Sequence, residues 1–136
     1  MICYTCRIRE SSDKLNKFGK PSKQCDECRI FRATRYKKFD RPRQQKLKQE
    51  AINAYGGVCG CCKESEPIFL TVDHIDNDGA KHRKEIGRGN YGIYKWLKDN
   101  NYPSNFRILC FNCNSGRDIN GGVCPHEQKR LDALEA

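Results

Sequence analysis

Eight of the ten cysteines in this 136-residue chain fall into four Cys-x2-Cys pairs: Cys3 and Cys6, Cys25 and Cys28, Cys59 and Cys62, Cys110 and Cys113. Two residues between thiols let both sulfurs face one point while the turn directs backbone N–H groups at them, which suits half of a tetrahedral zinc site. Two pairs close one structural site. In chain order, Cys3, Cys6, Cys25 and Cys28 are expected to hold one zinc ion, and Cys59, Cys62, Cys110 and Cys113 a second. Each site takes up a dication and loses four thiol protons, leaving a net charge of about minus two.

A disulfide framework is the competing reading of so many cysteines. The opening "MICYTCRIRE" lacks the apolar segment of a secretory signal, so a reducing, cytoplasmic setting and free thiols are expected. Composition also favours staples, because hydrophobic residues are 37% of the chain, with one methionine, which is little material for a large core. No run of 18 apolar residues occurs, so no membrane span and no membrane partner are expected.

Cys61 and Cys124 are left over. "CGCC" at 59–62 offers Cys59 either neighbour as partner, and Cys62 reproduces the spacing of the other pairs. Cys61, and Cys124 with His126 in "CPH", are read as structural residues, since two ligands without partners do not close a site.

Charge is unevenly spread. Residues 1–50 carry 15 Lys+Arg against 6 Asp+Glu, and residues 51–136 carry 11 against 11, so the whole formal excess of +9 lies in the first 50. Arg29, Arg32, Arg35, Lys37, Lys38, Arg41 and Arg43, continued by Lys46 and Lys48, form a dense basic stretch interrupted only by Asp40. Such a stretch is either a solvated helix face or the footprint of a polyanion, and double-stranded DNA is the expected partner.

The pattern divides into a small zinc module (1–28), a basic helical connector (29–54), a second zinc-framed domain (55–126) and a tail or short helix (127–136). The middle of the first module, "SSDKLNKFGKPSK", is polar and turn-rich and predicts a loop or hairpin. Helix is expected after Cys28, restarting at Asp40 as N-cap with Pro42 in its first turn and stopping at Gly56-Gly57. Leu47, Ala51, Ile52 and Tyr55 recur on its inner face. Further on, "PIFLTVD" and "FRIL" read as short strands. "NYGIYKWLKDNN" reads as a helix capped by Asn90, and the residues from Asn114 to Gly121-Gly122 as a short helix. "HEQKRLDALEA" predicts a frayed terminal helix. The fold class is small α+β.

"HIDNDGAKHRKE", residues 74–85, matches a calcium-binding EF-hand loop from Asp76 and Asp78 through Gly79 to Glu85, except that His74 stands where the first aspartate belongs. An EF-hand loop lies between helices, whereas here a strand runs into it. Asp76 and Asp78 are therefore expected to shape the loop by hydrogen bonds to backbone.

"VDHI", followed about 30 residues later by "NFRILCFNCN" and framed by a split four-cysteine site, resembles the HNH endonuclease family over roughly residues 55–126. The phage-type members with an Asn at the third motif position are the nearest in pattern. The resemblance implies a ββα-metal motif and hydrolysis of DNA phosphodiesters to 5′-phosphate and 3′-hydroxyl ends. It implies His74 as general base, Asp73 and Asn114 as ligands of one catalytic magnesium or manganese, and Asn105 as the residue whose side chain holds the loop that aims His74. Hard oxygen ligands suit those cations better than zinc. His82 and Arg83 in the loop, with Arg29, Arg32, Arg35, Lys37, Lys38, Arg41 and Arg43 on the connector, are the expected DNA contacts. A monomer or homodimer in the cytoplasm, that of the host cell if phage-encoded, fits homing, packaging or defence. The alternative is a non-catalytic zinc-ribbon protein that binds nucleic acid.

Overall fold

The computed structural model describes every residue except Asp13, Arg88 and Gly89, together with the backbone but not the side chains of Asn90 and Tyr91. The chain forms two compact units, Met1–Arg43 and Gln44–Ala136. The boundary falls inside the connector that the sequence sets at 29–54, because the apolar residues of its second half belong to the core of the second unit.

The first unit has almost no apolar interior. Among its described residues only Cys3 and Cys25 are buried, while Ile2, Tyr4, Ile8, Leu15, Phe18, Ile30 and Phe31 are exposed. Its polar middle makes tight turns, closed by isolated bridges between Ile2 and Glu10 and between Leu15 and Pro21. The Asn16 side chain accepts from the N–H groups of Phe18 and Lys20 at 2.9 and 3.1 Å, the local closure that a short polar side chain provides. Helix α1, Asp26–Arg35, starts earlier than the sequence suggested, with Cys25 as N-cap and Asp26 and Glu27 in the positively polarised first turn.

The expected restart at Asp40 does not occur. Residues Tyr36–Asp40 continue as a π-helical turn, with the Arg41 N–H bonded to the Tyr36 carbonyl five residues back, and helix α2 follows at once over Arg41–Ala54. Pro42 lacks the N–H that a regular helix needs there and crowds the carbonyl four residues back, and the widened turn absorbs both defects without breaking the helix. Gly56 and Gly57, at φ +97° and +78°, then end α2, with the Gly57 N–H on the Ile52 carbonyl at 2.8 Å.

In the second unit, strand β1 (Leu70–His74) pairs antiparallel with β2 (Phe106–Cys110), in a register that sets Asp73 opposite Arg107 and His74 opposite Phe106. Pro67–Phe69, predicted as strand, form a 3-10 turn before it. The connection carries two helices, α3 (Gly79–Ile86) and α4 (Asn90–Asp99). The sequence reading contained only α4, and the Asn90 side chain expected to cap it lies outside the described residues. Helix α3 forms because His82 and Ile86, four residues apart, turn one face to the core, and Gly87 in a left-handed conformation closes it on the Arg83 carbonyl. Helix α5 (Phe111–Ile119) leaves β2 directly and packs on both strands, and α6 (Pro125–Glu135) packs on α5.

Two apolar clusters hold this unit. Ile52, Leu70, Ile108 and Leu109 surround the buried cysteines on one side. Leu47, Ala51, Ile93, Tyr94, Leu97 and Phe106 form the other. Tyr55 touches both, and its hydroxyl donates to the Pro103 carbonyl at 2.8 Å. Among the described residues no helix is long and apolar enough to cross a membrane.

Candidate functional site

Both predicted cysteine sets converge. The ligand atoms of Cys3, Cys6, Cys25 and Cys28, and those of Cys59, Cys62, Cys110 and Cys113, each lie within 4.8 Å of one another. Sulfurs bound to zinc at about 2.3 Å stand about 3.8 Å apart at a tetrahedral angle. Cys6 and Cys25 Sγ are 3.9 Å apart, and Cys62 and Cys110 Sγ 3.6 Å apart. All ten cysteines are free thiols. The donor sets therefore fit zinc, and the sets chosen from spacing, including Cys62 rather than Cys61, are those the fold assembles.

Each set is anchored at a helix N-terminus. Cys25 is the N-cap of α1, and its N–H donates to Cys3 Sγ at 3.2 Å. Cys110 is the N-cap of α5 and accepts from the Cys113 N–H at 3.4 Å. Backbone N–H groups of Cys6, Cys25 and Thr5 lower the Cys3 thiol to about 6 against the opposing effect of burial. For Cys59 burial pushes upward most strongly, but the N–H groups of Cys62, Cys110 and Cys61 together outweigh it and bring the thiol to about 7. Their neighbours move the other way. Cys28 is pushed up to about 12 by its hydrogen bond with Cys25 and by burial, and Cys113 is raised further by burial and four surrounding thiols. Four thiolates cannot crowd together unless a cation neutralises them, so metal binding here displaces protons.

The leftover residues do not stand alone. Cys61, Cys124 and His126 gather on Cys113, with all four ligand atoms within 4.8 Å of one another. Reading them as partnerless structural residues is thus corrected by the fold. The α5–α6 turn, which closes with the Gly122 N–H on the Arg117 carbonyl at 2.8 Å, brings Cys124 back to α5. Spacing could not reveal this, because the fourth ligand is shared.

Asp73, His74, Asn77, Gly79, Arg83, Asn114 and Asp118 line one cleft of about 490 Å³, so β1, α3 and α5 bring four of the sequence-selected residues, Asp73, His74, Arg83 and Asn114, together. Asp73 is buried at 7% exposure, and both its carboxylate oxygens accept from Arg117 Nη1, at 2.9 and 2.7 Å. Arg107 Nε adds a third bond to Oδ2 at 2.8 Å, which leaves one lone pair on Oδ1 by the usual two per oxygen.

Arg117, nine-tenths buried, also donates to the carbonyls of His74 (3.2 Å), Ile75 (2.8 Å) and Gly122 (3.1 Å). Arg117 is the clamp on the loop after β1, a role the sequence reading gave to the Asn105 side chain. Asn105 is exposed, and its main-chain carbonyl accepts from the Ile75 N–H at 3.1 Å. Nothing in the spacing marked Arg117, whose partners on and after β1 are more than 40 residues upstream.

His74 Nε2 meets His82 Nδ1 at 2.9 Å, and the His74 ring also packs on Phe106. His82, expected at phosphate, is buried at 8% exposure behind His74, its ring 4.3 Å from that of Trp96 and its Nε2 without a hydrogen-bond partner. A Cβ on Gly79 would lie 3.0 Å from His74 Nδ1, so the glycine leaves room at that nitrogen. Burial first, then the nearby His82 and Arg83, hold the His74 pKa below its ordinary 6.5 against the opposing carboxylates of Asp78 and Asp73. The shift favours the neutral form of the His74 imidazole.

The hydrogen bond from Asp78 to backbone expected to shape the loop is not made at the α3 N-cap, where Asp78 sits without a side-chain cap bond. Among the described residues, every group of three or more clustered potential ligands is built on cysteine. The basic residues from Arg29 to Arg43 lie on exposed helical turns; Arg29 pairs with Asp26 at 2.9 Å. Comparison of the chain with protein-family models, with curated proteins and with solved structures yields no match.

Proposed function

We propose that the chain is a metal-dependent DNA endonuclease of the HNH type. The observation that carries this reading is the shared cleft, in which a neutral histidine, a buried carboxylate and the Asn114 side of α5 meet beside Gly79. With the proton of His74 on Nε2 and donated to His82 Nδ1, the Nδ1 lone pair is left for an incoming water. His74 takes the water proton as the hydroxide attacks phosphorus, and the bond to the 3′ oxygen breaks; that oxygen takes a proton from solvent and His74 returns its own to solvent, leaving 5′-phosphate and 3′-hydroxyl ends. Asp73 and Asn114 would hold one magnesium or manganese ion. When bound, it offsets charge on the phosphorane and the leaving oxygen. Arg83 lines the same cleft and suits an adjacent phosphate, and the basic turns of residues 29–43, in the other unit, suit the phosphates of a DNA duplex.

A second reading draws on the Asp73 carboxylate, which three arginine hydrogen bonds already neutralise. On that reading the protein binds nucleic acid through its zinc modules without cutting it. Supercoiled plasmid incubated with magnesium or manganese separates the two. The nuclease reading expects nicked circles from the wild type, sealable by ligase without end repair, and none from His74→Ala. Intact plasmid in both metals supports the binding protein instead, and equal cutting by the variant would remove His74 from the chemistry.

A further inference from the structure

We infer that Cys61, Cys124 and His126 complete a second zinc site with Cys113, whose thiolate bridges it to the four-cysteine site of the same unit. The result is a dinuclear centre, and it stands independently of the nuclease reading. Three sulfurs and one imidazole nitrogen are a donor set that structural zinc takes. Cys113 Sγ and His126 Nδ1 are 3.4 Å apart. Ligands at about 2.3 and 2.05 Å from one tetrahedral ion would stand roughly 3.6 Å apart. A thiolate sulfur bonded once to carbon keeps three lone pairs, enough for two metals. Cys113, at 0% exposure and common to both groups, is placed to use two of them.

Charge favours filling the second site. The added dication recruits two further thiolates, Cys61 and Cys124, so it leaves the net charge of the centre unchanged. Arg130 Nη2 lies 3.5 Å from Cys61 Sγ and supports a thiolate there.

The fold also needs such a staple. Helix α6 contributes no buried side chain of its own. Its attachment rests on the buried N-cap Cys124 and on Pro125, whose Cδ would lie 3.1 Å from a Cβ at Gly116. An eleven-residue helix without a buried face is marginal alone, and a metal bond through Cys124 and His126 supplies what packing does not.

Native mass spectrometry of the full chain purified with zinc counts the ions directly. Three zinc ions per chain are expected, one of them in residues 1–43. The double variant Cys61→Ser/His126→Ala leaves both four-cysteine sets complete and is expected to retain two, with faster amide hydrogen exchange across 125–135 and unchanged exchange in β1 and β2. Two ions in the wild type, or three in the variant, overturns the site. Retention of two ions also reports that the variant is folded. Bridging has its own readout: after replacement with cobalt, filling both sites of residues 44–136 should quench their paramagnetic signals through the shared sulfur. Signals that simply add would refute the bridge.

Discussion

Arg117 shows how one side chain can hold a strand end, a loop and a carboxylate together. It pairs with Asp73 while bonding three carbonyls, and both partners are largely buried. Removing one member of such a pair leaves a buried charge, which typically costs about 3–5 kcal/mol. Arg117→Met is expected to lose that much in a chemical denaturation experiment. On the nuclease reading His82 is a positioning residue, through its contact with His74 Nε2. In the plasmid assay His82→Phe should lower kcat by up to about 100-fold with little change in KM, since misaiming a base mainly affects the chemical step. His82→Asn, which keeps an acceptor near the Nδ1 position, should recover part of the rate. An equal loss in both variants would leave His82 a merely structural role. Tyr55 offers a pH test. Burial and the neighbouring Tyr102 push its pKa from 10.0 up to about 12, so the folded state favours the protonated phenol. Its stabilising effect is complete below 10 and is lost as the pH rises toward 12. Tyr55→Phe should cost about 1 kcal/mol at neutral pH, from the lost bond to Pro103, and should flatten the fall in stability between those values.

At the scale of elements, local signals were legible and long-range ones were not. The four Cys-x2-Cys pairs, the glycine stop of α2 and the two short strands all depend on neighbouring residues, and the fold contains each of them. Helix α3 escaped because its inward-facing turn, His82 and Ile86, overlaps the end of a run, residues 74–85, that also matches a calcium loop. The π-helical turn escaped because Asp40-x-Pro42 is a sound helix start by local rules, and only an already helical backbone on both sides makes a wide turn the better solution. The His74–His82 pair and the shared Cys113 needed the helices in place before any residue could be assigned to them. Ile52 ties α2 to the sheet at 1% exposure. Ile52→Ala should therefore cost about 2–5 kcal/mol in thermal or denaturant unfolding while leaving the zinc of residues 1–43 in place. A loss below about 1 kcal/mol would place α2 outside the core.

Both units carry cysteine groups that could hold zinc beside a small apolar interior. The first unit buries only two cysteines among its described residues, so a strong chelator should unfold it outright. The second unit, with two apolar clusters, should keep part of its helical signal under the same treatment. Circular dichroism during chelator titration reads both steps, and a single loss of all signal would contradict the division. The positive charge concentrated in the first 50 residues predicts DNA binding that weakens steeply with salt. Replacing Arg29, Arg32 and Arg35 by Gln should flatten that dependence by up to about three units of slope with zinc content unchanged. Unaltered affinity would move the interface elsewhere. The claim on which the functional account turns is that the His74 imidazole itself accepts the proton of the attacking water. Chemical rescue measures this most directly: zinc-loaded His74→Gly should leave supercoiled plasmid uncut with magnesium or manganese and regain nicking when free imidazole is added. Undiminished cutting by the variant, or wild-type nicking with no imidazole response in an intact, zinc-loaded variant, would contradict it.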